Sequence, residues 1–138
     1  AGSILGTGLR KRGGAGIVSD GGFRDALEIG KLEMPSYHQR PSAPTNLTVH
    51  QAIELNGAIA CGDVAVFPGD VIVGDGEAVV VIPSHLVDDI AEEAKQMTAF
   101  EDFVTEQVDD GAAIIGLYPA TKDETKVAFA KWRAKTGR

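Results

Sequence analysis

Residues 9–25 read LRKRGGAGIVSDGGFRD and carry the clearest structural signal in the chain. Apolar residues at helical spacing predict a helix over residues 3–12, which a Gly-Gly pair ends. The apolar run at residues 15–19 is typical of a buried strand. A tight turn at residues 20–22 is then predicted to lead into a short helix over residues 23–28. This succession predicts an α/β fold built in layers.

Downstream of this segment the sequence changes to a β pattern. Residues 34–48 hold three of the six prolines and are predicted to form an extended, ordered loop. Short apolar runs separated by Gly/Asp turns then predict strands at residues 56–61, 64–67, 70–73 and 78–82. The spacing favours a compact antiparallel or mixed β unit. The last run, AVVVI, predicts a central strand because it is apolar on both faces.

Residues 84–138 are predicted to form a helical C-terminal part. Ser84 is the expected N-cap of an amphipathic helix, whose acidic residues lie opposite its apolar stripe. The sequence TKDE at residues 121–124 matches a capping box and predicts a last helix that runs to Lys135.

Composition and charge narrow the function classes. The 138 residues carry a formal net charge of −7, with 14 acidic side chains and one basic between residues 54 and 110. Such a surface repels phosphate backbones, so we expect no nucleic-acid partner. The single cysteine excludes an internal disulfide framework and a multi-cysteine zinc site, and it fits a reducing compartment. No apolar run approaches the ~18 residues of a membrane span, which predicts a cytoplasmic protein without a membrane partner.

The pair Arg24-Asp25 is the strongest candidate for chemistry. It follows a predicted strand, and α/β folds bind ligands at the edge where their strands end. An Arg there can hold a carboxylate with two hydrogen bonds, and an adjacent Asp can hold a hard cation such as Mg²⁺. The alternative is a surface ion pair after a turn. Upstream, Gly2–Gly6 starts a helix whose free N–H groups could receive an anion or form an ordinary helix start.

The histidines and the cysteine are scattered along the chain. His38, His50 and His85 lie in separate segments without metal-ligand spacing, so we expect them to be structural or solvated. Cys61 lies between apolar residues with no base nearby in the sequence. We therefore expect a small buried side chain rather than a nucleophile.

Two blocks of this sequence together resemble the RraA-like family. They are LRKRGGAGIVSDGGFRD at residues 9–25 and ACGDVAVFPGDVIVGDGEAVVVIP at residues 60–83, and the resemblance covers residues 2 to about 83. It implies a swivelling β/β/α sandwich, assembled as a homotrimer or hexamer with sites between subunits. On this resemblance, residues 1–138 are the C-terminal two-thirds of a single domain, with residues 84–138 as a helical extension. A further N-terminal segment is expected to precede them.

The resemblance also implies an activity. The family includes Mg²⁺-dependent 4-hydroxy-4-methyl-2-oxoglutarate aldolases with oxaloacetate decarboxylase activity, a protein inhibitor of ribonuclease E, and so-called demethylmenaquinone methyltransferases. A metal-dependent (class II) lyase that cleaves a small 2-oxo acid to pyruvate, with Mg²⁺ or Mn²⁺, is therefore implied. By resemblance, Asp25 is the catalytic metal ligand and Arg24 is the catalytic residue that holds the enolate oxygen. Ser3, Ile4 and Leu5 bind the substrate, with the backbone N–H groups near Ile4 and Leu5 taking its carboxylate.

Ser3 is where the chain departs from the aldolases of this family. They commonly carry an acidic residue twenty-one positions before the motif Arg, which is the position of Ser3. A hydroxyl cannot replace a carboxylate as a base or as a partner of the metal, which counts against aldol activity. The alternative function is a non-catalytic regulatory protein that binds a ribonuclease or another protein through the acidic face of residues 88–110. The intact Arg24-Asp25 pair favours the enzyme.

Overall fold

The computed structural model describes residues 1–45 and 50–138, and it confirms a mixed α/β fold with small sheets. The chain divides into two compact units, Ala1–Ser84 and His85–Arg138. The first unit contains α1 (Ser3–Lys11), β1 (Ile17–Phe23), α2 (Ala26–Ile29), β2 (Ser36–Pro41), β3 (Ile59–Cys61), β4 (Val64–Val66), β5 (Val71–Gly74) and β6 (Val79–Ile82). The second contains a 3-10 turn at Ser84–Leu86 that begins at the boundary, then α3 (Val87–Asp109) and α4 (Asp123–Thr136). None of the described helices is long and apolar enough to span a membrane.

Helix α1 is confirmed, but it packs through a glycine rather than through its large apolar residues. Gly6 is buried, and a Cβ at this position would lie 3.0 Å from Leu32 Cδ1. The missing side chain lets the helix approach β1 and α2 closely. Ile4 is 86% exposed in this unit, although its spacing along the helix matches that of a core residue.

Strands β1 and β2 form a parallel pair that corrects two predictions. The predicted turn at residues 20–22 is wrong, because β1 continues to Phe23 with only a register irregularity between Ser19 and Gly22. The predicted loop at residues 34–48 contains β2, and residues 46–48 lie outside the described residues. Parallel pairing depends on contacts far apart in the sequence, which a local Gly or Pro signal does not report. Phe23, only 1% exposed, anchors this pair in the core.

The remaining strands form two separate antiparallel hairpins, β3–β4 and β5–β6. In the first, Gly62 and Asp63 both have positive φ, at 58° and 63°, as a two-residue type I′ turn requires. The four predicted strands are found with shorter bounds. Residues 78–82 are predicted to form a central strand, and this prediction is wrong. Among the described strands, β6 pairs only with β5, and Val80 is 55% exposed.

The second unit is a pair of helices joined by a turn-rich segment. Its aromatic rings contact one another at centroid distances of 5.1 to 6.2 Å. Phe103 is buried at the centre, Phe100, Phe129 and Trp132 are half-buried around it, and Tyr118, 46% exposed, contacts Phe100 at the edge. The two predicted caps are wrong. The 3-10 turn delays α3 so that its N-cap is Leu86 rather than Ser84, and α4 has Lys122 at its N-cap without a side-chain hydrogen bond.

Candidate active site

Arg24 and Asp25 lie where β1 ends and α2 begins. Asp25 is the N-cap residue of α2 and adopts the left-handed conformation, with φ 57° and ψ 38°. Asp tolerates this conformation better than most residues do. Its side chain makes no cap hydrogen bond to α2 and reaches α1 instead. The local backbone therefore directs the carboxylate toward the start of the first helix.

Ser3 holds this carboxylate from the first turn of α1. Asp25 Oδ2 accepts hydrogen bonds from the Ser3 N–H at 3.3 Å and from Ser3 Oγ at 3.0 Å. The main chain adds a second link, because the Arg24 N–H donates to the carbonyl of Ala1 at 2.7 Å. The structure thus brings together three of the predicted site residues, which are up to 22 positions apart in the sequence.

The charge environment keeps Asp25 ionised. Hydrogen bonds from the backbone and then the hydroxyl of Ser3 lower the pKa of Asp25 below its ordinary value of 3.8, and the nearby Arg24 charge lowers it further. Arg24 Nε lies 3.6 Å from Asp25 Oδ1. Partial desolvation opposes these effects without reversing them. Asp25 is therefore a carboxylate at neutral pH.

A cavity of about 410 Å³ opens beside this pair. It is lined by Phe23, Arg24, Asp25, Ala26, Pro41, Ser42 and Ala43. Ser3, Ile4 and Leu5 do not line it, so the substrate-binding role of these three residues stays a prediction. The amides of Ile4 and Leu5 belong to the first helical turn, whose N–H groups have no acceptor within the helix.

Ser42 is a cavity residue that the sequence did not reveal. Its N–H donates to the Phe23 carbonyl at 2.8 Å, which continues the β1–β2 pairing past Pro41. A Cβ at Gly22 would lie 2.4 Å from Ser42 Cβ, so the close approach requires glycine there. Only the recognition of β2 as a strand could have placed Ser42 beside Arg24 and Asp25.

A metal at this site would have one protein carboxylate. Within residues 1–45 and 50–138, no group of three or more His, Cys, Asp or Glu side chains could enclose an ion. Oδ2 of Asp25 is occupied by two hydrogen bonds from Ser3, whereas Oδ1 has only the 3.6 Å contact with Arg24. Mg²⁺ commonly uses one or two carboxylates and completes its shell with water and substrate oxygens. Asp25 Oδ1 could serve as the single carboxylate ligand of such an ion. The described residues do not supply a complete set of protein ligands.

Of the other candidates, His38 and Cys61 lie elsewhere in the first unit, and His85 begins the second. The His38 ring stacks on Phe23, with centroids 4.7 Å apart and an interplanar angle of 13°. His38 and the half-buried Cys61 line a separate cleft of about 890 Å³, whose lining includes six valines. The stacking confirms a structural position for His38 and leaves it outside the Arg24-Asp25 cavity.

The Ser3–Asp25 contact makes a prediction for titration. Ser3→Ala removes one of the two hydrogen bonds from residue 3, so we expect the pKa of Asp25 to rise toward 3.8. The pKa of Asp25 is lower in the folded protein than in the unfolded chain, where it is about 3.8. The Asp25 carboxylate therefore stabilises the fold above about pH 3.8, and this stabilisation is lost as the pH falls through the pKa of the folded state. Carboxyl ¹³C NMR titration measures the shift. Asp75, whose pKa is lowered by the amides of Glu77 and Ala78, is the internal control and should not move.

Comparison with known proteins places the chain in a family. Residues 1–81 match the family described as RraA-like, Aldolase/RraA. An uncharacterized protein of Methanocaldococcus jannaschii is 35% identical over 78% of this chain and 51% of its own length. A Halalkalibacterium halodurans protein named "Putative 4-hydroxy-4-methyl-2-oxoglutarate aldolase" is 30% identical over 75% of this chain and 49% of its own length. The chain therefore spans about half the length of these relatives.

Two solved structures share the fold. An uncharacterized protein from Pseudomonas syringae pv. tomato has a TM-score of 0.76 at 22% identity, over 82% of this chain and 56% of its own. Streptomyces coelicolor RraAS2, described as an unusual member of the RNase ES inhibitor RraA protein family, has a TM-score of 0.63 at 29% identity, over 77% of this chain and 54% of its own. With the match over residues 1–81, they confirm the resemblance of the two sequence blocks, and the chain belongs to the RraA-like family.

Proposed function

We propose that the protein is a divalent-metal-dependent lyase that cleaves a carbon–carbon bond of a small 2-oxo acid and releases pyruvate. The observation that carries the proposal is the Arg24 guanidinium beside the ionised Asp25 carboxylate, 3.6 Å apart and lining one cavity. Cleavage next to a 2-oxo acid places negative charge on the oxo oxygen, and fixed cationic groups stabilise that charge. The Halalkalibacterium relative named as an aldolase supports the same chemistry.

Each residue has a defined part in this proposal. Arg24 donates to the developing enolate oxygen, and Asp25 would hold Mg²⁺ or Mn²⁺. The cation, when bound, acts as a Lewis acid that draws electron density from the oxo group. Ser3 fixes the orientation of Asp25 through its two hydrogen bonds. The Ile4 and Leu5 amides, at the positive end of α1, receive the substrate carboxylate.

Pyruvate release by the full-length protein tests the proposal. With Mg²⁺ and either oxaloacetate or 4-hydroxy-4-methyl-2-oxoglutarate, we expect pyruvate above the metal-only background, and chelation with EDTA should remove it. Asp25→Asn should lower the rate by about 10²-fold or more, because metal activation supplies several kcal/mol. Glu33→Gln is the matched control, since Glu33 is exposed and, among the described residues, forms one ion pair, with Arg10 at 3.8 Å. Pyruvate release from neither substrate would contradict the proposal.

A regulatory function is the second candidate. RraAS2, described as a member of an RNase ES inhibitor family, favours it, as does the hydroxyl at residue 3 in place of a carboxylate. In this case a ribonuclease should be retained by the immobilised protein at physiological salt. Binding should survive Asp25→Asn, since a protein–protein contact does not need the metal ligand. Absence of any stable protein partner would count against this function.

The assembly is proposed as a homotrimer or hexamer in the cytoplasm. Large apolar side chains on the surface of the first unit support an interface between copies, with Ile4 86% and Ile53 94% exposed. Sedimentation equilibrium of the full-length protein gives the subunit number directly.

A further inference from the structure

Ser42 lines the cavity from the strand next to the one that carries Arg24. The parallel register pairs Phe23 with Pro41, so the residues that follow them, Arg24 and Ser42, emerge at the same edge of the sheet. We propose that Ser42 is a specificity-determining residue, whose hydroxyl hydrogen-bonds an oxygen carried on C4 of the 2-oxo acid. This inference rests on the proposed lyase function and concerns the part of the substrate that is released together with pyruvate.

The peptide unit between Phe23 and Arg24 sets the order of groups across the site. This peptide is trans, and the C=O and N–H of a planar trans peptide point in opposite directions. The Phe23 carbonyl accepts a hydrogen bond from the Ser42 N–H at 2.8 Å, whereas the Arg24 N–H donates to the Ala1 carbonyl at 2.7 Å. Ser42 therefore lies on one side of this peptide, and the residue that leads into α1 lies on the other.

A 2-oxo acid bound as proposed crosses the site in the same order. Its C1 carboxylate lies at the Ile4 and Leu5 amides of α1, and its oxo oxygen lies at Arg24. The chain of the substrate then continues through C3 and C4 toward Ser42. Carbons C1 to C3 become pyruvate in every case, whereas the groups on C4 differ between substrates. A residue on the Ser42 side can therefore select among substrates.

The Ser42 hydroxyl is held in place and remains available to a ligand. The hydrogen bond that the described residues give Ser42 is made by its main-chain N–H, which fixes the backbone without using Oγ. The half-buried side chain lies against Gly22, where an added Cβ would be 3.1 Å from Ser42 Oγ. Pro41 and Ala43, which flank Ser42 in the cavity wall, have apolar side chains. Ser42 thus supplies the hydrogen-bonding side chain of this wall.

A serine hydroxyl suits an oxygen on C4. It donates one hydrogen bond and can also accept, so it can bind either a hydroxyl or a carboxylate oxygen. A substrate with a methyl group at C4 displaces water from Ser42 without replacing its hydrogen bond, which costs affinity. The site is therefore expected to favour 2-oxo acids that carry a hydroxyl or carboxylate oxygen on C4 over those with an apolar C4.

The test compares ligands with and without an oxygen on C4. The full-length protein with Mg²⁺ receives oxaloacetate or 4-hydroxy-4-methyl-2-oxoglutarate, and pyruvate is followed after subtraction of the metal-only rate. 2-Oxobutanoate, which has a methyl group at C4, is added as a competitive inhibitor. We expect Ser42→Ala to raise KM for the cleaved substrates about 10-fold, the loss of one hydrogen bond to a charged or polar group. The inhibition constant of 2-oxobutanoate should change by less than about 2-fold, because its methyl group makes no such bond.

Two further variants control this comparison. Ser84→Ala makes the same substitution at an exposed serine that does not line the cavity, and it should change neither constant. Ser42→Cys is similar in size to serine but is a weak donor, so it should follow Ser42→Ala. It also provides the measurement if a thermal melt shows that Ser42→Ala fails to fold.

The two constants separate the possible outcomes. A rise in KM alone supports a contact between Ser42 and C4. Equal rises in KM and in the inhibition constant would mean that Ser42 supports the whole site, and no change in either would mean that it does not contact the substrate. Both of these results overturn the inference alone. Pyruvate from neither substrate in the unsubstituted protein overturns the proposed function, and the inference with it.

Discussion

Arg24→Ala is expected to lower kcat/KM for pyruvate formation by about 10²–10³-fold, the loss typical when one donor to a developing oxyanion is removed. The Arg24 side chain lines the cavity and is 42% exposed, so its loss leaves no void in the core. Its backbone N–H keeps the 2.7 Å hydrogen bond to Ala1, because that contact does not involve the side chain. The effect should therefore fall on catalysis with little change in stability.

Two variants make the Arg24 result specific. Arg24→Lys keeps the charge but loses the planar pair of donors, so we expect an intermediate rate. Arg12→Ala removes an exposed Arg of the same unit, whose Nη1 donates to the Gly8 carbonyl within α1 at 3.3 Å, and should leave the rate unchanged. Steady-state kinetics and thermal melts on all three variants separate catalysis from folding. Wild-type activity in Arg24→Ala would remove Arg24 from the mechanism.

The sequence predicts those residues of the site that lie next to a recognisable helix or strand signal. Arg24 and Asp25 follow a strand directly, and Ser3 begins a helix that ends shortly before that strand, so short connections bring the three residues together. Ser42 could not be predicted in this way. Its place depends on the parallel pairing of β1 with β2. Pro35 before β2 and Pro41 at its end indicate a loop when they are considered locally.

The fold shows the same division between local and long-range information. Hydrophobic periodicity predicts α1 and α3, because the period of a helix is a property of the segment itself, and the sequence TKDE predicts α4. Periodicity does not indicate which face of a helix packs against the rest of the unit. In α1, Ile4 is exposed, whereas Gly6 is buried. Helix starts were also misplaced, since a 3-10 turn can insert between a predicted cap such as Ser84 and the α-helix.

The aromatic core of the second unit provides the largest expected effect on stability. Phe103 is 3% exposed, and its ring centroid lies 5.6 Å from that of Phe129 and 6.0 Å from that of Trp132. Phe103→Ala removes this ring from the contact between α3 and α4 and leaves a cavity there. We expect a loss of about 3–5 kcal/mol in the free energy of unfolding of this unit. Phe103→Leu should cost less, because it fills more of the same space.

The single tryptophan makes this loss measurable in one unit of the chain. Trp132 is the only Trp in the sequence, and its Nε1 donates to Glu106 Oε2 at 2.6 Å, so its fluorescence reports on the contact between α3 and α4. Urea unfolding followed at this residue should move to lower urea in Phe103→Ala. The exposed Val127 on α4 is the control, and Val127→Ala should change the free energy by no more than about 0.5 kcal/mol. Phe103 is buried and Val127 is exposed, so the two substitutions should differ in effect. Equal urea midpoints for Phe103→Ala and Val127→Ala would mean that the Phe103 ring does not hold α3 and α4 together.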